Sequence, residues 1–129
     1  MTLPLFGTME RDRVLAHDEL FVVALDKYPV SAGHALIIAK RPVARFLELT
    51  PLEKERLLHW IDWTQRHLAA TLSPSPAAFN FGLNDGQAAG QTIPQLHFHV
   101  IPRYQGDVPD PRGGVRWIIP EKARYWSAP

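Results

Sequence analysis

Residues 90–103 read GQTIPQLHFHVIPR, and the alternation within LHFHV (96–100) is that of a β-strand. Side chains alternate across a strand, so Leu96, Phe98 and Val100 face one way and Gln95, His97, His99 and Ile101 the other. The first set suits a core. The second carries two imidazoles two residues apart, roughly 6.5–7 Å along the strand. That spacing is comparable to the size of a phosphate group, so neighbours in the row could touch opposite sides of one.

Working outward, AAFNFGLND (77–85) reads as a strand running into the turn NDG, and GQAAGQTIP as a glycine-containing loop. Upstream, RVLA (13–16) and LFVVAL (20–25) read as two strands around the polar turn HDE, and HALIIAK (34–40) as a third. DKYPVSAG, with Pro29 and Gly33, is the loop before it. PVARFLEL (42–49) suggests a short helix. A long helix begins at TPLE: Thr50 can cap it, Pro51 suits its first turn and Glu53 completes a capping box. Leu57, Ile61, Leu68 and Leu72 then share a face, and the helix should end near Leu72, before SPSP. Its Trp60 and Trp63 read as packing or interface residues, and His59 and His67 as solvated or packed. The order β-β-β-α-β-β with hairpin-like connections predicts an α+β fold: an antiparallel sheet of about five strands with one long and one short helix. A single domain is expected over 1–129, with residues 104–129 an irregular extension rich in Pro, Gly and Trp.

The chain has 129 residues, 46% apolar and 21% charged, enough for one domain with a real core. It has no cysteine, which excludes disulfides and thiolate metal sites. A formal charge of +1 gives no argument for binding nucleic acid or a membrane surface. MTLPLFGTMERDR lacks the features of a signal peptide, and no stretch is long and apolar enough to span a bilayer. The expected location is cytoplasmic.

Three readings fit the histidine row. The residues can be satisfied, half-buried strand histidines. They can ligate zinc, with His34 as a third ligand, although no carboxylate lies nearby in sequence to orient them. Or they can serve phosphorus chemistry. Imidazole has an ordinary pKa near 6.5, so neutral histidine is a nucleophile at pH 7 without a second base. It can form a covalent intermediate, a second histidine can hold or donate protons, and amide groups can stabilise phosphoryl oxygens.

The stretch GQTIPQLHFHVIPR resembles the signature of the histidine triad (HIT) superfamily, His-φ-His-φ-His-φ-φ after a GQ[ST] loop. DKYPVSAGHALIIAKRPV resembles the family's upstream segment, FNFGLNDGQAAGQT its strand and phosphate-side loop, and RYQGDVPDPRGG the extension of a bacterial subgroup. The resemblance implies that His97 is the nucleophile, that His99 is the last triad histidine and that His34 supports the phosphate site. It also implies that Asp26 meets the ribose hydroxyls and that Asn84, Gln91 and Thr92 meet phosphate oxygens or the leaving group. Gln95 stands where the first triad histidine belongs. As a neutral amide it would keep a hydrogen-bonding role toward substrate and lose an ionic one. The expected activity is hydrolysis or nucleotidyl transfer on a nucleoside phosphate derivative, a dinucleoside polyphosphate or nucleoside phosphoramidate, through a nucleotidyl-histidine. The alternative is a nucleotide-binding module with weak or no catalysis. No cofactor or metal is required, though Mg²⁺ would ride on a polyphosphate. The resemblance also implies a homodimer joined through the long helix and a sheet edge, with Trp60 and Trp63 as anchors.

Overall fold

The structure, a computed structural model, describes residues 1–127. Strands β1 (Thr2–Leu3) and β2 (Gly7–Thr8) form a small antiparallel hairpin. Next come β3 (Val14–His17), β4 (Phe21–Leu25), β5 (Ala35–Ala39), helix α1 (Pro51–Thr71), β6 (Ala78–Leu83), β7 (His97–Arg103) and the short helix α2 (Pro120–Ala123). Strands β3 to β7 make one antiparallel sheet in the order β3-β4-β5-β7-β6. The expected α+β architecture is therefore the observed one. Among the described residues, no helix is long and apolar enough to cross a membrane.

Register divides the sheet into two faces. Val23 pairs with Ile37 and Ile37 with Phe98, while Ala35 pairs with Val100. These side chains meet Leu57, Trp60 and Leu68 of α1 in the main core. One residue along, Val22 pairs with Ile38 and Ile38 with His97, and Leu36 pairs with His99. On this second face Val22, Ala24, Leu36 and Ile38 are covered by Leu3, Met9 and Phe6 from the N-terminal segment. The histidines thus emerge on a face that the first nine residues partly roof.

Helix α1 starts as its sequence requires. Thr50 Oγ1 accepts from the Glu53 amide, and the Glu53 carboxylate accepts from the Thr50 amide. Glu53 is buried, and Arg41 neutralises it at 2.8 Å. The helix docks on the sheet through Asp18 in the β3–β4 turn. Asp18 Oδ1 accepts from the amides of Leu20 and Phe21, and Oδ2 accepts from Arg56 Nη1 and Trp60 Nε1, both at 2.7 Å.

Several expectations change. PVARFLEL forms only a single 3₁₀ turn at Phe46–Glu48, because the Asp85 carboxylate takes the Phe46 amide and ties this segment to the loop after β6. Strand β7 begins at His97 rather than Gln95, since the Leu96 amide turns to Val43 O. Trp60 is no surface anchor: it is 8% exposed and its indole N–H is committed to Asp18. Trp63 is only partly buried and stacks on His67, with ring centroids 4.6 Å apart. The tail, expected to be irregular, contains a 3₁₀ turn (Gly114–Ile118) and α2. It is organised by Arg–aromatic pairs, Arg112 over Trp126 and Arg116 over Tyr125.

Burial alone would raise the Asp18 pKa. The Arg56 hydrogen bond, the two backbone amides and the Trp60 indole outweigh it and lower it to about 2 from the ordinary 3.8. An unfolded chain takes this proton first as pH falls. The stabilisation is therefore complete above about pH 4 and is lost as pH drops toward 2, for a total of about 2 kcal/mol. Asp18→Ala should cost about 2–3 kcal/mol in urea denaturation at pH 7, because it also orphans the indole N–H and the Arg56 charge. A change below about 0.5 kcal/mol would show that the turn does not hold the helix.

Candidate active site

His97 and His99 lie on β7 opposite Ile38 and Leu36, and His34 immediately precedes β5. Gly33 sets up His34: its φ is +88°, a conformation that other residues rarely adopt, and a Cβ there would also crowd Leu72 Cδ1 at 2.5 Å, so glycine suits the entry into β5.

The hydrogen bonds assign the protons. His34 Nδ1 accepts from the Val30 amide at 3.1 Å, so the His34 proton sits on Nε2. His34 Nε2 is 2.9 Å from His99 Nδ1 and 3.5 Å from Asp26 Oδ2. It donates to His99 Nδ1, which leaves the neutral His99 with its own proton on Nε2. His97 Nδ1 lies 2.9 Å from Gln95 O, and a carbonyl only accepts. His97 therefore carries its proton on Nδ1 and has a free lone pair on Nε2. One imidazole thus presents a lone pair and its neighbour an N–H, with ring centroids 5.3 Å apart.

Electrostatics keeps the donor neutral. Burial, with like-charge repulsion from His97 and His34, lowers the His99 pKa to about 4, against the pull of Asp26. Burial likewise lowers that of His34, opposed by Asp26. Asp26 Oδ1 accepts from the Tyr28 amide at 2.8 Å, and Oδ2 faces His34. A cavity of about 510 Å³ opens beside this group, lined by Asp26, His34, Lys27, Pro29, Arg13 and Glu10. A larger cavity of about 860 Å³ lies further along the sheet. Ile101, Asn80 and Gly82 form its floor, and Val115 and Trp117 of the tail form its wall. None of the three histidines lines that larger cavity.

The structure brings Asp26, His34, His97 and His99 together. Asn84 is exposed one residue beyond β6, and continuing the register that pairs Leu83 with Phe98 sets it abreast of His97. Thr92 is exposed on the loop before β7. Gln91 braces that loop from within: Oε1 accepts from the Gly86 amide, and Nε2 donates to Ala44 O and Ile93 O. Its side-chain donors are engaged with the backbone. Gln95 departs further from expectation. It is 0% exposed and its amide is used up on backbone groups of the N-terminal segment and β5, so it does not face a substrate. The reading that it touches phosphate is corrected: parity along the strand gave its face, but the roof over that face was not foreseen.

Sequence reasoning missed that roof. Phe6 places its ring edge 5.2 Å from the His97 ring at an interplanar angle of 77°. Strands of two residues have no readable periodicity; the only cue was Pro4 and Gly7 around an apolar pair. The carboxylate found lacking near the histidines in sequence is supplied in space by Asp26. Asp26, His34 and His99 each offer one ligand atom within 4.8 Å of the others. A cation held there would have to break the His34–His99 hydrogen bond.

The sequence model of one family, the HIT domain, matches residues 8–106. The bis(5'-nucleosyl)-tetraphosphatase [asymmetrical] of Schizosaccharomyces pombe is 36% identical over 95 residues, 74% of this chain and 51% of that protein. The AP-4-A phosphorylase of Mycobacterium tuberculosis is 36% identical over 100 residues, 76% of this chain and 50% of that one. The chain spans about half the length of these two relatives. Among solved structures, a HIT family protein from Bacillus anthracis superposes with a TM-score of 0.67 at 31% identity, over 73% of this chain and 65% of that one.

Because the folded pKa of His99 lies below the ordinary 6.5, an unfolded chain binds this proton first. Its contribution to stability is complete above about pH 6.5 and falls as pH drops toward 4. In ¹⁵N NMR of the imidazoles, His99 should remain the neutral Nε2–H tautomer at pH 6. A midpoint near 6.5 would contradict the arrangement.

Proposed function

From the premise that the chain belongs to the HIT domain family, we propose that it cleaves a nucleoside phosphate derivative, a dinucleoside polyphosphate or a nucleoside phosphoramidate, through a nucleotidyl-histidine. The observation that carries this reading is the free Nε2 lone pair of His97, fixed by the bond from Nδ1–H to Gln95 O. The two relatives named for dinucleoside tetraphosphate chemistry support the polyphosphate class.

In this mechanism His97 Nε2 attacks the phosphorus bearing the nucleoside. A P–N bond forms and the bond to the leaving group breaks. The imidazolium that results keeps its Nδ1–H on Gln95 O, which stabilises the developing charge. His99 Nε2–H donates to a phosphoryl oxygen or to the leaving atom. Water, or a second acceptor in a transferase, then displaces His97 and releases the nucleotide. In this reading Asp26 meets the ribose hydroxyls, and Asn84 and Thr92, both exposed, meet phosphate oxygens. The catalytic chain is His97, His99 and His34; no resident cofactor is invoked, and Mg²⁺ would arrive with a polyphosphate.

The binding-module alternative drew its force from the missing first histidine. With Gln95 packed away from the substrate side, that loss removes no charge from the reacting centre. Gln95 together with the extension beyond Tyr104 is consistent with a bacterial subgroup of the family.

The reading includes a homodimer joined through α1 and an edge of the sheet. Light scattering at micromolar concentration should give twice the chain mass; a monomer mass would overturn this.

His97→Ala should reduce turnover by about a thousandfold or more, because the covalent route is lost, while nucleotide binding persists. Intact-mass analysis of acid-quenched wild type with a panel of dinucleoside polyphosphates and phosphoramidates should show a nucleotidyl adduct that the variant lacks. Undiminished activity of His97→Ala would end this mechanism.

A further inference from the structure

The side-chain amide of Gln95 ties two remote segments to its own. Oε1 accepts from the amides of both Leu5 and Phe6, each at 2.9 Å. Nε2 donates to Ala39 O at 2.6 Å, at the end of β5. Its own backbone carbonyl receives the His97 Nδ1–H. The β1–β2 hairpin pairs only Thr2 with Thr8 and Leu3 with Gly7, too little to stand alone. Its tip is therefore held by this amide, and that tip carries Phe6 against the His97 ring.

We propose that Gln95 is a positioning residue that pins the tip of the N-terminal hairpin to β5 and so braces the His97 imidazole through Phe6, the Gln95 carbonyl fixing its tautomer. The inference rests on His97 being the nucleophile. It also accounts for the residue type. The site needs one acceptor atom with two lone pairs for adjacent amides and a donor for a carbonyl. A primary amide supplies both, whereas a neutral imidazole has a single acceptor lone pair. Histidine here would leave one of the two tip amides without this acceptor. Departure from the family's pattern at this position is thus a matched change, coupled to the hairpin, rather than a lost catalytic group.

The test combines exchange and kinetics. In Gln95→Ala, backbone amide exchange at Leu5 and Phe6 should accelerate at least about tenfold, while Val23 and Ile37 stay protected as a check that the sheet is folded. With a dinucleoside tetraphosphate as substrate, kcat should fall at least about tenfold with KM changed less than about threefold, because orientation of the attacking ring is lost rather than nucleotide contacts. Phe6→Ala should show the same split. The double variant should be no slower than about twofold below the slower single variant, since both act through one contact. Gln95→His should also be slower than wild type. Unchanged exchange at Leu5 and Phe6, fully multiplicative losses in the double variant, or a Gln95→His variant faster than wild type would each overturn the proposal. The exchange measurement needs no turnover, so it decides the clamp separately from the proposed reaction.

Discussion

Strand β7 lies between β5 and β6, so its backbone polar groups are spent on two neighbours and its side chains have only two directions to take. Everything else is arranged around that. Phe98 and Val100 give α1 a surface to dock on, and His97 and His99 are carried to the other face by the same alternation. The core fixes the register, because a slip of one residue would bury imidazoles under α1 and turn the phenyl ring toward the site. Stability and chemistry are therefore set by one parity, and the site inherits the rigidity of the sheet rather than of a loop.

Rigidity alone does not tell imidazoles apart. What separates them is the group each ring meets with its inner nitrogen. Val30 offers an N–H and makes His34 an acceptor there; Gln95 offers a carbonyl and makes His97 a donor. His34 passes its constraint to His99 through a 2.9 Å contact, while burial keeps that pair uncharged. Two backbone groups thus set three chemically identical side chains apart: Nε2 carries the proton in His34 and His99 and a lone pair in His97. Asp26 tempers the cost by lying 3.5 Å from His34 without forming a close ion pair.

Much of this was legible beforehand, for identifiable reasons. Strands of four to seven residues and a helix of 21 residues with a cap at Thr50 have periods long enough to read, so the sheet and α1 could be placed. His34, His97 and Asp26 sit beside long strands and could be carried over from a family pattern one by one. The hairpin at residues 2–8 was not legible, because two-residue strands hold less than one period and owe their form to a distant partner. Gln95 and Gln91 were assigned to substrate because their positions in the motif are adjacent to chemistry. Both instead satisfy backbone groups of segments remote in sequence, which no local pattern reveals. The tail's helical turns were hidden for the same reason: they are organised by Arg–aromatic contacts, not by alternation.

The hydrogen bonds from Leu5 and Phe6 to Gln95 span 90 and 89 positions of chain. During synthesis the hairpin residues emerge well before Gln95, so Leu3, Met9 and Phe6 can meet β4 and β5 while the two amides at the tip still lack their acceptor. Closing a loop of that length is entropically costly, and Gln95 reaches both the tip and Ala39 O only with its segment beside the end of β5. The wall beside His97 is therefore completed only by a residue remote in sequence. The sheet alone sets the histidines in their row, but the support of the His97 ring by Phe6 depends on this long-range contact.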